Sequence, residues 1–429
     1  MNLLGRHSSK EEFLLQLQMH FQEIMQQAPS LSKPARKKAW DHFLNLGLPH
    51  KKQEAFQYFP LLSFYEETFK KPSYASLPEN FSAGAQLVFV NGEFSKELSD
   101  LRALPKQLVI LPLADAYQTY GSFLHGRLEK TLKSETNPFA CLNLAFETKG
   151  LFVFVPPKVH VETPIHCIHL IATEKKELFS PRVQLFIGQG SHVKWISTTQ
   201  TLNDSGSFSN SVMDCSLEEG SQLELTNLTT LGNNTWHFDS LRATLKKESH
   251  LQAICFNQGG KSLRQDFHIQ LQGEYAEAKL KGAALLKEQR QTHTHVYMGH
   301  LAPHTHSSQL FKTILDETAR SSFEGKIYVC KEAQKTEAYQ SNHNLLLGEH
   351  AMAYSKPNLE IFADDVKASH GATISKLKED DLFYLKTRGL SQEMAKKLLI
   401  SAFSQEIVQG VTFLPIAKEM KAQTEAFLK

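Results

Sequence analysis

The sequence is poor in the features that mark disulfide-stabilised proteins, zinc ribbons and membrane proteins. Its five cysteines are scattered, and the closest two, Cys141 and Cys167, are 26 positions apart. With no C-x-x-C pair, a disulfide framework, a zinc ribbon and a self-contained Cys-ligated iron–sulfur site are all poorly supported. The longest apolar runs, 108–114 and 151–157, are far too short to span a bilayer. The first 20 residues lack an apolar signal-peptide core. We therefore expect a cytoplasmic protein with no membrane segment.

An excess of charge of either sign is also missing. The 429 residues contain 47 basic and 45 acidic side chains, a net charge of +2, which argues against nucleic acid or an anionic membrane as the main partner. No G-x-S-x-G, Walker A, G-x-G-x-x-G or H-E-x-x-H motif is present. We therefore expect no nucleotide hydrolysis by the chain itself. A chain of this length is expected to contain more than one structural unit.

Three regions are predicted from local patterns: a helical region at 1–85, a β region at 86–377 and a helical region at 378–429. Ser9 and Glu12 predict a capping box at the start of a first helix. A second helix is predicted to begin at Ser32 and to end at Gly47. The C-terminal region is predicted to form helices at 379–388, after Ser391 and at 416–428.

The long middle region shows short β-like segments with almost no helical periodicity. Similar turn sequences begin at Gly190, Gly220 and Glu248, at offsets of 30 and 28 residues. Repeated β-segments with short turns favour a solenoid, specifically a β-helix, over a sandwich of unusual size. The fold class is therefore predicted to be mainly β, with a β-helix core between α-helical ends.

Two groups of residues are candidates for chemistry. The first is the histidine cluster at positions 293, 295, 300, 304 and 306, where two-residue spacing can place imidazoles on one face of a strand. Zinc, iron or copper would suit such a cluster. The alternative is a stack of polar residues bonded to the backbone or to water. The second group contains Glu360, Asp364, Asp365 and His370, at the junction of the β region with the helical tail.

Several motifs in the last third of the chain, taken together, resemble one known family. The motifs are His300-Leu-Ala-Pro-His-Thr-His306, Leu310-Phe-Lys-Thr-Ile-Leu-Asp316, Phe323-x-Gly-Lys-Ile327, Ala333-Gln-Lys-Thr-Glu-Ala-Tyr-Gln340, Asn344-Leu-Leu-Leu347, Lys356-Pro357, Ser369-His-Gly-Ala-Thr373 and Phe383-Tyr-Leu-x-x-Arg-Gly389. The set resembles the SufB/SufD family of iron–sulfur cluster assembly scaffolds, and its SufD members more than its SufB members. The resemblance is thinner before residue 300 and weak in the N-terminal helices.

The resemblance implies a right-handed parallel β-helix and a complex with one SufB and two copies of the ABC-type ATPase SufC. It implies that SufC docks on the helical tail, for which Leu399, Phe403 and Ile407 are the candidate stripe. SufB and SufD would meet through their β-helices, and we expect His304 and His306 at or near that contact.

A transient iron–sulfur cluster, or iron, is implied at the junction with SufB, and His370 is the implied ligand. Reduced FAD bound by the complex and a homodimer of the chain alone are both left open. Residues 345–353 contain no cysteine, and Leu385 stands where SufB tends to have one, so SufD is favoured. Ala368 replaces a cysteine common in SufD relatives. Two alternatives remain: a SufB-like subunit that accepts sulfur, and a β-helix enzyme acting on carbohydrate.

Overall fold

The computed structural model describes residues 8–72, 86–147 and 149–428. Its helices are α1 (Ser9–Gln27), α2 (Lys33–Leu46), α3 (Leu61–Tyr65), α4 (Leu113–Ser134), α5 (Pro138–Phe146), α6 (Glu379–Thr387), α7 (Gln392–Val408) and α8 (Leu414–Phe427), with a 3₁₀ turn at Glu54–Phe56. The early strands are β1 (Leu87–Val90), β2 (Glu93–Ser95), β3 (Val109–Pro112), β4 (Leu151–Val155), β5 (His160–Ala172), β6 (Leu178–Phe179) and β7 (Arg182–Ile187). The solenoid continues with β8 (His192–Asn203), β9 (Phe208–Leu217), β10 (Gln222–Leu231), β11 (Trp236–Leu245), β12 (His250–Gly259), β13 (Ser262–Leu271), β14 (Glu277–Leu286), β15 (Gln291–His300), β16 (His306–Leu315), β17 (Arg320–Val329), β18 (Thr336–Leu346), β19 (Met352–Ile361) and β20 (Val366–Ser375).

The strands build a parallel β-helix, which confirms the predicted fold class. Sheet 1 has the order β2-β1-β5-β8-β10-β12-β14-β16-β18-β20, and sheet 2 has the order β19-β17-β15-β13-β11-β9-β7-β4-β3, with β6 beside β9. Successive strands of the solenoid alternate between the two sheets, so two strands and two corners make one rung. Pairing is parallel except where β1 meets β2 and β3 meets β4.

The predicted sequence repeat marks one corner of the solenoid. Gly190 and Gly220 both have φ +64°, and Glu248 has φ +56°. The corners stack, because the Gly190 N–H donates to the Glu219 carbonyl and the Gly220 N–H donates to the Lys247 carbonyl, both at 2.9 Å. Glycine adopts this left-handed backbone without steric cost, whereas Glu248 adopts it at a cost of roughly 1–2 kcal/mol.

Side chains on the inner faces of the two sheets form the core of the solenoid. Part of this interior is polar, and amide groups bridge it from sheet to sheet. Asn227 donates to Asp239 at 2.6 Å, and Asn257 donates to Gln265 at 2.7 Å. Buried polar groups are tolerated where they find hydrogen-bond partners, and these bridges supply some of them.

The N-terminal helices pack on the outer face of sheet 2, where Phe59 and Phe64 contact Trp236 and Phe238. Helix α2 begins after Ser32 and ends at Gly47, as predicted. The capping box of α1 was predicted one residue too late, because Ser8 and Glu11 form it rather than Ser9 and Glu12.

Helices α4 and α5 lie inside the segment predicted to be β, so the expectation of an uninterrupted β region at 86–377 was wrong there. Helix α4 buries Leu113, Tyr117, Leu124 and Leu128, a helical spacing that the sequence contains. Helix α5 is buried on all sides, so no polar face marks it as a helix.

The C-terminal helices cover the outer face of sheet 1. Ile400, Ile407 and Met420 pack against strand residues such as Ile254 and Phe256. As predicted, Ser391 caps α7 by accepting a hydrogen bond from the Met394 N–H, and α6 ends at a glycine, Gly389, with φ +89°. No helix in the described part of the chain is both long and apolar enough to cross a membrane.

Candidate functional site

The solenoid ends in two edge strands, β19 and β20, each of which pairs on one side only within the described residues. Each edge is ten residues long and presents a row of backbone N–H and C=O groups, which is a template for pairing with another chain. Large apolar side chains at this end are open to solvent: Phe362 is 59% exposed and Ile374 is 50% exposed. We call this end of the molecule the open rung. It has the properties of a protein–protein contact surface.

His370 lies in the middle of β20, on the inner side of the open rung. Val366 and Ala368 of the same strand pack against the solenoid core, and two-residue periodicity places His370 on their side. It is paired in register with the buried Gln340 of β18. Because no strand among the described residues covers the outer edge of β20, the imidazole is exposed although its strand position faces inward. His370 therefore lies exposed at the open end of the solenoid, on the side of its strand that faces the solenoid interior.

The residues on either side of His370 neither turn the backbone nor orient the ring. Gly371 does not turn the backbone, since its φ lies outside the left-handed region and it continues β20 opposite Ser341. Ser369 faces the opposite side of the strand, because neighbouring residues in a strand alternate. Ser369 is therefore unsuited to orienting the ring.

The neighbouring carboxylates do not form a site with His370. Asp365 lies in the corner before β20, where its N–H donates to the Gln334 side chain at 2.9 Å. Glu360 pairs with Lys326 at 2.6 Å on the outer face of β19. Asp364 and Asp365 are both exposed in this corner, as in a solvated turn.

The thiols of this chain are poorly placed to act as ligands. Four of them are buried: Cys141, Cys167, Cys215 and Cys255. Burial raises the pKa of each of these four thiols, so the thiolate that would bind iron is disfavoured. Cys330 is partly exposed, but burial also raises its pKa, and it lies at the corner after β17 rather than beside His370. Thiolate ligands for a cluster at the open rung would have to come from a partner.

The histidine cluster does not assemble into one site. The ring nitrogens of His300 bond to Thr305 and Ser307, both at 2.8 Å, inside the solenoid. Those of His293 bond to Ser322 and Gln291 on the outer face of sheet 2. Burial lowers the pKa of both histidines to about 3, so both are neutral at pH 7.

His304 and His306 lie on the other side of the molecule, in or beside sheet 1. His304 stacks on Tyr275 with ring centroids 4.9 Å apart, and His306 lies 3.9 Å from Glu337. Within the described residues, no group of three or more His, Cys, Asp or Glu side chains is arranged to hold a metal ion. The arrangement supports the interpretation of the cluster as polar rung residues, although their partners are mostly side chains.

Comparison with known proteins decides the family. The model of the SUF system iron–sulfur cluster assembly SufBD core domain matches residues 169–403, and that of the SufBD N-terminal region matches residues 7–167. The chain belongs to the SufBD family. A SufBD family protein of Synechocystis is 31% identical over 396 residues, which cover 88% of this chain and 86% of the relative.

SufBD relatives of both named types are similar to the chain. The iron–sulfur cluster assembly protein SufD of Escherichia coli is 28% identical over 389 residues, covering 88% of this chain and 89% of the relative. The protein SufB of Bacillus subtilis is 26% identical over 275 residues, covering 64% and 59%. Family membership establishes a protein of iron–sulfur cluster assembly, and it gives the carbohydrate-enzyme alternative no support.

The helical tail of this SufBD protein has apolar side chains both against the solenoid and open to solvent, and most of the predicted docking stripe lies against the solenoid. Ile407 is fully buried against sheet 1, and Phe403 packs against the same cluster, so these two members of the predicted docking stripe contact the chain's own solenoid. Leu399 is half-buried. Four large side chains of α6 and α7 are 50–68% exposed and therefore open to a partner: Phe383, Tyr384, Met394 and Leu398. The four-residue spacing of Met394 and Leu398 was the available signal.

Proposed function

We propose that this SufBD protein is a SufD-like scaffold subunit. It pairs through its open rung with a SufB-like paralogue, and an ABC-type ATPase of the SufC kind docks on its helical tail. The observation that carries the proposal is the position of His370, on the inner column of an unpaired terminal rung. The same edges allow a homodimer when the paralogue is absent. Reduced FAD bound by the complex and a cytoplasmic location stay predictions.

Edge pairing explains why the open rung suits a paralogue. A second solenoid that ends in edge strands of similar length can add its strands to β19 and β20, which satisfies the backbone groups of both chains. Such pairing brings the two solenoid axes end to end. His370 would then face side chains on the inner column of the partner, away from bulk water.

The chemistry expected of His370 is ligation without catalysis. Imidazole is a borderline ligand that suits iron, and one imidazole cannot hold a cluster alone. Because this chain's thiols are buried or distant, thiolate or carboxylate ligands would come from the paralogue. A site shared between two chains can open when the chains separate, which suits a scaffold that must release its cargo. The missing cysteine at 345–353 favours this role over that of a sulfur-accepting subunit.

The test is iron and acid-labile sulfide per purified complex for His370→Ala. His370 is exposed, so its removal should change the free energy of unfolding by no more than about 0.5 kcal/mol and leave the subunit ratio unchanged. We expect cluster content to fall several-fold. The matched control is His350→Ala, because His350 is exposed in the corner that leads to the same rung. Normal cluster content in His370→Ala, or equal loss in both variants, would contradict the proposal.

A further inference from the structure

A buried pair of glutamines lies directly beneath His370 in the solenoid. Gln340 is the in-register partner of His370, and Gln309 is the in-register partner of Gln340. They are 1% and 2% exposed, and the Gln340 Nε2 donates to the Gln309 Oε1 at 2.8 Å. The Gln340 Oε1 has no hydrogen-bond partner within the described residues. A buried amide oxygen left unpaired costs roughly 1–3 kcal/mol, so this oxygen needs an explanation.

The glutamines interrupt an otherwise apolar inner column. In register from the other end, the column reads Trp195, Leu225, Ala253, Leu280, Gln309, Gln340 and His370. The column becomes polar only on the two rungs that lead to His370. An apolar side chain would fill either glutamine position with no unpaired oxygen.

Gly325, on the facing strand β17, leaves the space that the Gln340 amide occupies. A Cβ at Gly325 would lie 2.2 Å from the Gln340 Nε2, 2.6 Å from its Cδ and 2.8 Å from its Oε1. No side chain larger than that of glycine fits there while Gln340 keeps its place. The Gln340 amide therefore fills the space beside Gly325 and is hydrogen-bonded to Gln309 below it.

We propose that Gln340 is a positioning residue for His370. Its unpaired Oε1 accepts a hydrogen bond from one ring nitrogen of His370, which fixes the tautomer and leaves the other nitrogen to face the open rung. Metal-binding histidines commonly donate their second N–H to a carbonyl or carboxylate in this way. The ring is exposed and not bonded to Gln340 in the isolated chain, so the bond forms when the partner closes the rung. This inference rests on the proposed role of His370 as a ligand.

The test reads the tautomer of His370 directly. The full chain carries ¹⁵N-labelled histidine, two-bond ¹H–¹⁵N spectra are recorded in complex with the paralogue, and loss of a signal in His370→Ala assigns the ring. We expect one predominant tautomer in the wild type. Gln340→Met keeps the side-chain volume without the amide, and Gly325→Ala keeps the amide but displaces it. Both variants should show two tautomers within about threefold of each other, and iron affinity should fall about 10- to 100-fold.

Gly282→Ala is the matched control, because a Cβ there would meet the Phe311 ring at 2.5 Å and no glutamine. It disturbs the core to a similar degree and should keep the wild-type tautomer ratio. A role in packing alone predicts lower stability in all three variants with that ratio unchanged, which overturns the inference. Mixed tautomers in the wild-type complex also overturn it, even if a variant fails to fold. Normal cluster content in His370→Ala would instead contradict the proposed function itself.

Discussion

Asp239 should lower the free energy of unfolding of this protein at neutral pH. It lies on the inner face of β11 and lines an internal cavity of about 30 Å³, together with Ser197, Ser211, Asn227 and Cys255. The side chain is largely buried, and it borders this cavity. Burial raises the pKa of Asp239 to about 6, although the hydrogen bond from Asn227 favours the ionised form. The structure therefore contains a carboxylate that is costly to ionise.

The sign of the effect follows from comparing the folded and unfolded chains. An unfolded aspartate has a pKa of about 4, so between pH 4 and 6 the folded chain holds a proton that the unfolded chain has lost. Stability contributed by Asp239 therefore falls as pH rises through this window and stays low above it. A pKa difference of about two units between the folded and unfolded chains corresponds to a loss of about 3 kcal/mol in the free energy of unfolding. This figure is an upper bound, because the cavity hydroxyl groups can solvate the carboxylate.

Asp239→Asn removes the charge and still offers an oxygen to Asn227. We expect the free energy of unfolding in urea to rise by up to about 3 kcal/mol at pH 7.5, and the gain to shrink to roughly half at pH 5. Asp364→Asn is the control, since Asp364 is an exposed carboxylate in a corner, and it should change little at either pH. A gain that is absent at pH 7.5, or equal at both pH values, would refute the reasoning.

Two further predictions concern the helical tail and the thiols. Ile407→Ala should lower the free energy of unfolding by about 2–5 kcal/mol, since Ile407 is fully buried, whereas Leu398→Ser should leave it within about 0.5 kcal/mol and reduce the amount of ATPase that co-purifies. Full ATPase retention in Leu398→Ser would place the dock elsewhere. Iodoacetamide should modify Cys330 first in the native protein, because the other four cysteines are buried. Mass spectrometry of the labelled protein checks this, and equal native labelling of Cys255 would contradict it.

The solenoid could be predicted from sequence because each corner requires a particular backbone conformation, which favours particular residues. Gly190 and Gly220 supply a left-handed backbone once per rung, so the repeat is visible in single residues. Helix α5 could not be predicted in the same way. It is enclosed on all sides by α2 and the outer face of sheet 2, so its apolar run has no helical periodicity and looks like a buried strand.

A motif indicated His370 as a candidate ligand, but the sequence could not predict the residues that surround it. A shift of one residue in the pairing of β20 with β18 would move His370 from the inner face to the outer face. The register is set by contacts across the whole rung, including Ala368 over Ala338. Gln340 is some 30 positions earlier in the chain, and only the register shows that it lies beneath His370.

An exposed terminal rung must still be ordered if it is to bind a partner without a large entropic cost. The N-terminal region holds β19 from outside: Tyr58 stacks on Tyr354 with centroids 4.1 Å apart, and Glu54 pairs with Lys356. Each exposed ion pair contributes at most about 1 kcal/mol. The stacked rings and the ten-residue pairing with β17 therefore contribute more to keeping β19 ordered. Residues 54–58 thus couple the N-terminal helices to β19, the edge that we propose for the partner. In the proposed complex the remaining ligands arrive on another protein, so a chain whose own thiols are buried or distant from His370 needs such an edge.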